Sequence, residues 1–252
     1  MLKEIIIAVQ SYFDAHNFIR NHRLWKWIII PGVIYTILFC VGMYFFWNSA
    51  DSAVSGLSKA IGIEGWLQNQ RSAWLSFLFL MSGMMLRLIL VFFYFSLFKY
   101  FIMVVGAPVF SYLSEKTMSI IRNEEYTINW TQIFRDSWRA TKLSLRNALW
   151  QTVYLFSLLL LSLVPVVGWI TPMIALFLEC FYYGFTMMDY GCQRIKLPST
   201  SSVYFINNHK GLAIGNGLMF YIMHLAIGIG WVLAPAYAVV AATLSLYKVR
   251  ST

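Results

Sequence analysis

The sequence predicts an all-α integral membrane protein with two long transmembrane helices, two helical hairpins tipped by proline and glycine, and amphipathic interfacial helices. Three observations predict it. Of 252 residues, 60% are hydrophobic and 12% charged, whereas ordinary soluble domains carry about 25% charged residues. The apolar residues fall in runs of membrane-spanning length along the whole chain. Two such runs are broken internally, by "LVPVVGWITP" and by "IGIGWVLAP". Because the runs are spread evenly, one membrane domain is expected over residues 1–252, without a separate soluble module.

Residues 2–20 predict an interfacial helix. Ile5, Ile6, Val9, Tyr12, Phe13 and Ile19 can share a face that Lys3, Glu4, Gln10, Asp14 and Asn17 avoid, the pattern of a helix lying on a bilayer surface. "RNHRLWKW" then sets Arg20, Arg23 and Lys26 beside Trp25 and Trp27, cations for phosphates and indoles for the headgroup layer. The first span is placed at 27–47, with a polar loop at 48–71. The second, 72–105, holds 34 residues without proline. It would reach about 50 Å, so it tilts or extends past the bilayer; Arg87 and Lys99 favour emergence on the cytoplasmic side.

"VGAPVF" breaks that helix, and amphipathic segments follow. In the one beginning near residue 128, Arg135, Arg139, Lys142 and Arg146 recur every three or four residues and share one stripe. The stripe either faces lipid headgroups or collects anions. The hairpins come next, with arms 147–163 and 173–190, then 212–226 and 232–247. Arms of 15–18 residues reach only about 22–27 Å, short of a comfortable span. The tips then turn inside the membrane, where non-helical backbone needs protein or water around it, or just beyond its far face. Discontinuous helices of this kind point to transporters and channels. Lys and Arg flank the hairpin bases, the 110–146 region and both ends of the chain, which predicts cytoplasmic termini.

Other classes lack support. No phosphate-binding G-x-x-x-x-G-K-[ST], H-E-x-x-H or G-x-S-x-G motif occurs, and no nucleophile–base constellation suggests an enzyme. Cys40, Cys180 and Cys192 fit no metal or disulfide spacing. No cofactor is expected. The net charge of +9 reads as topology and an affinity for anions, lipid or solute, not as nucleic-acid binding.

"WKWIIIPGVI", "VGAPVFSYLSE" and "LVPVVGWITPMIALFLECFYYGFTMMDY" follow in the order and spacing of the CysZ family, which the chain resembles from about Ala15 to Lys248. These are bacterial sulfate permeases sharing a domain with the eukaryotic etoposide-induced proteins. The most specific block contains Pro165, Gly168, Pro172, Asp189 and Tyr190; the second contains Pro108 and Glu115. The resemblance implies long spans with half-penetrating hairpins, homo-oligomers in the bacterial inner membrane, and proton-sensitive uptake of sulfate or sulfite feeding cysteine synthesis. It also implies an anion site before the first span, in a Gly-Leu-Arg motif followed by a second basic residue. The matching positions are Arg23, Leu24, Trp25 and Lys26. Lys26 keeps the second cation, Trp25 replaces the first arginine, and Arg23 replaces the glycine. His22 beside them is either a pH-dependent donor or an ordinary interface residue.

An ionisable residue within a span is a functional candidate. Arg87 either snorkels or pairs within the membrane, with Glu179 as its expected partner. Glu179 either serves that pair or carries a proton. Asp189 is expected to pair with Arg194 or Lys196, and Glu115 to accept from cytoplasmic cations. The resulting expectation is an anion permease. The alternative is a membrane-shaping or scaffolding protein of the same family that transports nothing.

Overall fold

The computed structural model describes residues 1–60, 91, 94, 98–125, 128–162, 170–226 and 229–251. All regular structure among these residues is helical. In chain order come α1 (Leu2–Asn21), α2 (Lys26–Ala60), a helical stretch at 98–105, α3 (Ala107–Arg122), α4 (Trp130–Ser162), α5 (Thr171–Arg194), α6 (Ser199–Asn208), α7 (Lys210–His224) and α8 (Ile229–Ser251).

The hub is α8, which packs against α1, α2, α3, α5 and α7. Its sequence explains this. Ala234, Ala238, Val239, Val240, Ala241, Ala242 and Leu246 are fully buried, and small side chains let helix axes approach from several directions. The same device joins α5 to α7. A Cβ on Gly184 would lie 1.9 Å from the Ala213 carbonyl oxygen, and one on Gly217 1.9 Å from that of Cys180. The two backbones therefore touch where only glycine fits. Near the start of α8 an aromatic cluster fills the wider gaps: Tyr35, Phe39, Phe98, Phe220, His224 and Trp231.

Three helices end in the same cap. In α1, Leu24 N–H donates to Ile19 C=O at 3.1 Å and Arg23 N–H to Arg20 C=O at 3.4 Å. Asn123 and Lys196 close α3 and α5 with the equivalent bonds. Arg23, Asn123 and Lys196 all adopt positive φ (52°, 54° and 58°), as the left-handed residue of this cap requires.

Lys26–Ser49 and Ile229–Arg250 are long and apolar enough to cross a bilayer, with mean hydropathy 2.2 and 1.8. They differ in surroundings: 22% of the first is buried against 72% of the second. On α2, Ile30, Ile34, Ile37, Val41, Tyr44 and Phe45 are exposed; on α4, Leu149, Val153, Phe156 and Leu160. Lipid is the solvent that such a belt requires, since water would penalise every one of these side chains.

Several expectations change. The loop expected from residue 48 is helical through Ala60, with Ser52 Oγ bonding back to Asn48 C=O at 3.0 Å; no proline interrupts these residues. The amphipathic segment from 128 and the arm 147–163 are one helix, α4. A helix, α6, occupies much of the stretch between the two hairpins and starts directly after Pro198. The closing arm, expected at 232–247, runs from Ile229 to Ser251. The buried face of α1 is Ala8, Ser11, Tyr12, Ala15 and Ile19, whereas Ile6 and Phe13 are exposed. The small residues face α7 and α8 because they allow close approach, a preference that hydrophobicity alone does not mark. Most of the second span, the hairpin break at 163–169 and residues 227–228 lie outside the described residues.

Candidate functional site

Two places concentrate unusual charge: the turn joining α1 to α2, and a polar cluster inside the helix bundle. The turn is the position that the family resemblance assigned to anions. Its shape comes from the α1 cap. Leu24 and Ile19 are both buried and tie the turn to the core, so the residues between and after them are held rigidly. Trp25 is half-buried and packs edge-on against His16 at 6.3 Å, while His16 Nδ1 lies 2.9 Å from Tyr237 Oη on α8.

Arg23 and Lys26 project from this support and are exposed. Neither forms an ion pair among the described residues. They flank the start of α2, where the helix dipole favours negative charge, while the first-turn amides of Trp27 and Ile28 are already bonded to Leu24 C=O and Trp25 C=O, both at 3.1 Å. His22 is exposed and its Nδ1 lies 2.9 Å from Phe18 C=O, which leaves Nε2 facing outward. The arrangement suits weak, reversible capture of an oxyanion. It lacks the paired arginine forks that would bind one bidentately.

The interior cluster joins four helical segments. Lys99 Nζ lies 2.6 Å from Glu179 Oε2 and donates to Gln151 Oε1 at 2.7 Å. Gln151 Nε2 donates to the other carboxylate oxygen. Tyr221 Oη donates to Glu179 Oε2 and Tyr100 Oη to Gln151 Oε1, both at 2.7 Å. Lys99 is 4% exposed and Glu179 1%. The carboxylate thus receives an ammonium, an amide and a phenol, which is how a buried ion pair becomes tolerable.

Lys99, expected near the cytoplasmic end of the second span, is buried in the bundle, and among the described residues it is the cation that Glu179 meets. Arg87 lies outside the described residues. The signal for Lys99 was present, a lone cation inside "SLFKYFIM". Gln151 and Tyr221 carried no signal, because only the packing of α4 and α7 against α5 brings them to the pair.

A third constellation ties the helix ends. Asp189, 1% exposed, accepts from Arg139 Nη2 at 3.1 Å, Ser202 Oγ at 2.5 Å and Gln193 Nε2 at 2.9 Å. Neither Arg194 nor Lys196, the expected partners, pairs with it: Lys196 sits in the α5 cap, and Arg194 turns to Asp136 at 2.5 Å and Glu115 at 3.3 Å. Glu115 therefore does meet a cation. Burial pushes its carboxyl above the usual range, with Arg194 opposing and Asp136 adding to the shift. Tyr190 is buried, donating to Met103 C=O at 3.4 Å and packing edge-on against Phe110. Pro108 and Pro172 sit in the first turns of α3 and α5, where a missing N–H is harmless. Pro165 and Gly168 lie outside the described residues. Among the described residues, no group of three His, Cys, Asp or Glu side chains is placed to hold a metal.

The order of these features matches a known family. The model of the family described as sulfate transporter CysZ/etoposide-induced protein 2.4 matches residues 11–235. That match covers most of the 252 residues, and the chain belongs to this family.

Proposed function

We propose that the protein is an anion permease of the inner membrane, carrying sulfate or sulfite toward cysteine biosynthesis. The observation that carries the reading is the family match over residues 11–235, which spans both the cationic turn and the interior cluster. In this reading Arg23 and Lys26, with His22 beside them, concentrate the oxyanion at the start of α2. The anion then moves passively or down an ion gradient. The self-neutralised Lys99–Glu179 pair fixes the helices around the path and presents no naked charge to trap the solute.

The whole chain acts as one membrane domain in this reading, and it assembles as a homo-oligomer. The 15-residue length of α7 reaches only about 22 Å, which supports a half-penetrating first arm of the second hairpin, while the other arm, α8, is long enough to cross. Ionic contacts among the ends of α1, α3, α4, α5 and α8, including Lys248 with Asp14, support a single charged face. The excess of Lys and Arg there supports a cytoplasmic location for that face and for both termini.

The test is labelled sulfate uptake into proteoliposomes, comparing the native protein with an Arg23→Ala, Lys26→Ala variant of unchanged melting temperature. Saturable uptake reduced at least about tenfold in the variant, the loss equivalent to 1.4 kcal/mol of binding, supports the permease and places its entrance. No uptake of sulfate or sulfite across pH and imposed potential would refute it and favour a scaffolding role.

A further inference from the structure

The cationic stripe of α4 takes no part in the proposed anion path, and the structure gives it a shape. Arg135, Lys142 and Arg146 line an open groove of about 670 Å³ whose other wall is the first turn of α6, with Ser199 and Thr200. Within the stripe Arg139 is committed, bonded to Asp189 and to the Leu197 carbonyl oxygen. The other three cations are exposed and form no ion pair among the described residues. The nearby carboxylates are already neutralised: Asp189 by Arg139, Asp136 by Arg194. The groove therefore keeps a local excess of positive charge. Ser199 and Thr200, in the first turn of α6, add two hydroxyl-bearing residues to its lining.

A second feature says what kind of anion fits. At Arg146 and Val203 the groove continues into a slot of about 190 Å³, lined by Trp150, Tyr154, Phe181 and Phe185. The cationic groove and the slot, in which Asn147 and Asn207 stand beside the aromatic rings, thus share a wall. They follow α4 from its charged segment into its exposed apolar one, where Leu149, Val153 and Phe156 face outward. An inorganic anion would use only the cationic groove. A molecule with an anionic phosphate joined to a hydrocarbon chain fills both.

We propose that this groove, between α4, α5 and α6, is a binding site for one anionic phospholipid at the bilayer interface. The phosphate sits among Arg135, Lys142, Arg146 and the α6 hydroxyls, and the first carbons of an acyl chain lie against Trp150 and Phe181. Charge complementarity selects the headgroup and the aromatic slot selects a lipid over a free ion. Because α6 and Asp189 are joined by Ser202, lipid in the groove braces the α5–α6 corner.

The full chain, purified in a neutral detergent, is titrated with phosphatidylglycerol, with phosphatidylcholine and with glycerol phosphate. Native mass spectrometry counts bound lipid and a thermal melt reads stabilisation. The expected result is one tightly held phosphatidylglycerol, bound at least tenfold more strongly than phosphatidylcholine, with no stabilisation by glycerol phosphate. A Lys142→Gln, Arg146→Gln variant, whose targets make no ion pair among the described residues, should lose at least tenfold in phosphatidylglycerol affinity and melt normally without lipid. A Phe181→Ser variant should weaken both lipids alike. Equal stabilisation by glycerol phosphate would overturn the lipid assignment in favour of a free-anion site. Undiminished binding in the double variant, or graded uptake of many lipids without a first tight one, would overturn the site altogether. None of these readouts depends on sulfate flux.

Discussion

Replacing Lys99 with methionine removes an ammonium that is 4% exposed while leaving the Glu179 carboxylate, 1% exposed, in place. The carboxylate keeps its donors Gln151 and Tyr221 but loses its counter-charge. Breaking a buried pair in this way costs about 3–5 kcal/mol. For a chain of this size each kcal/mol lowers the melting temperature by about 2–4 °C, so a fall of roughly 6–20 °C is expected. Glu179→Gln should cost a comparable amount, since it leaves the buried ammonium without its counter-charge. The Lys99→Met, Glu179→Gln double variant carries no buried charge and keeps neutral hydrogen bonds to Tyr221 and Gln151. It should melt within about 1–2 kcal/mol of the native protein, the range in which neutral replacement of a buried pair is tolerated. Fluorescence-monitored thermal unfolding in one detergent gives all four corners of the cycle. Single variants melting within 3 °C of the native protein, or a double variant whose loss equals the sum of the singles, would show that the pair is solvated and would remove its structural role.

Other consequences are simpler. Arg23 holds φ 52°, a conformation costing a side-chain-bearing residue about 1–2 kcal/mol; after glycine's extra unfolded-state entropy, Arg23→Gly should raise the melting temperature by about 1–4 °C while lowering sulfate uptake, whereas Arg23→Ala lowers uptake without the gain. Gly217→Val places a Cβ 1.9 Å from a backbone oxygen of α5, and with over-packing worth about 1–3 kcal/mol or more the variant should yield little monodisperse protein in size-exclusion chromatography. Glu115 titrates above the ordinary range in the folded state, so the native protein binds this proton more readily than the unfolded chain does. Its contribution to stability is then greatest below the unfolded pKa, 4.5, and declines as pH rises through the folded value. A Glu115→Gln variant should flatten that part of the melting-temperature profile measured from acid to neutral pH, and an unchanged slope would refute the assignment.

What the sequence made legible depended on how local each cause was. The first span declared itself because α2 meets lipid along most of one face, so its apolar run is nearly unbroken. The breaks at Pro108 and Pro172 were legible for the same reason, since a proline acts on the turn that holds it. The extent of α4 was not: its charged and apolar halves read as two elements because they meet different surroundings, although nothing in the backbone separates them. Burial of α1 was hidden because Ala8, Ser11 and Ala15 pack by being small. A face chosen by size leaves no hydrophobic stripe.

The candidate site divides along the same line. Arg23, Leu24, Trp25 and Lys26 are contiguous, so the cationic turn could be read directly. The structure adds a physical reason for the glycine that the family motif places at the position of Arg23. That residue closes the α1 cap in the left-handed conformation, which glycine adopts without strain. In this chain the position carries a cation in place of conformational ease, next to a tryptophan where the motif has an arginine. Charge lost at Trp25 is thus restored two positions earlier, on Arg23. If sulfate is still captured here, it must be held by Arg23 and Lys26 approaching from either side of Trp25, and not by adjacent guanidinium groups. Arg23→Gly therefore tests the substitution as well as the fold: a permease that keeps its uptake when that cation is removed does not use the compensating charge, and Lys26 at the dipole end of α2 would be the whole of its entrance.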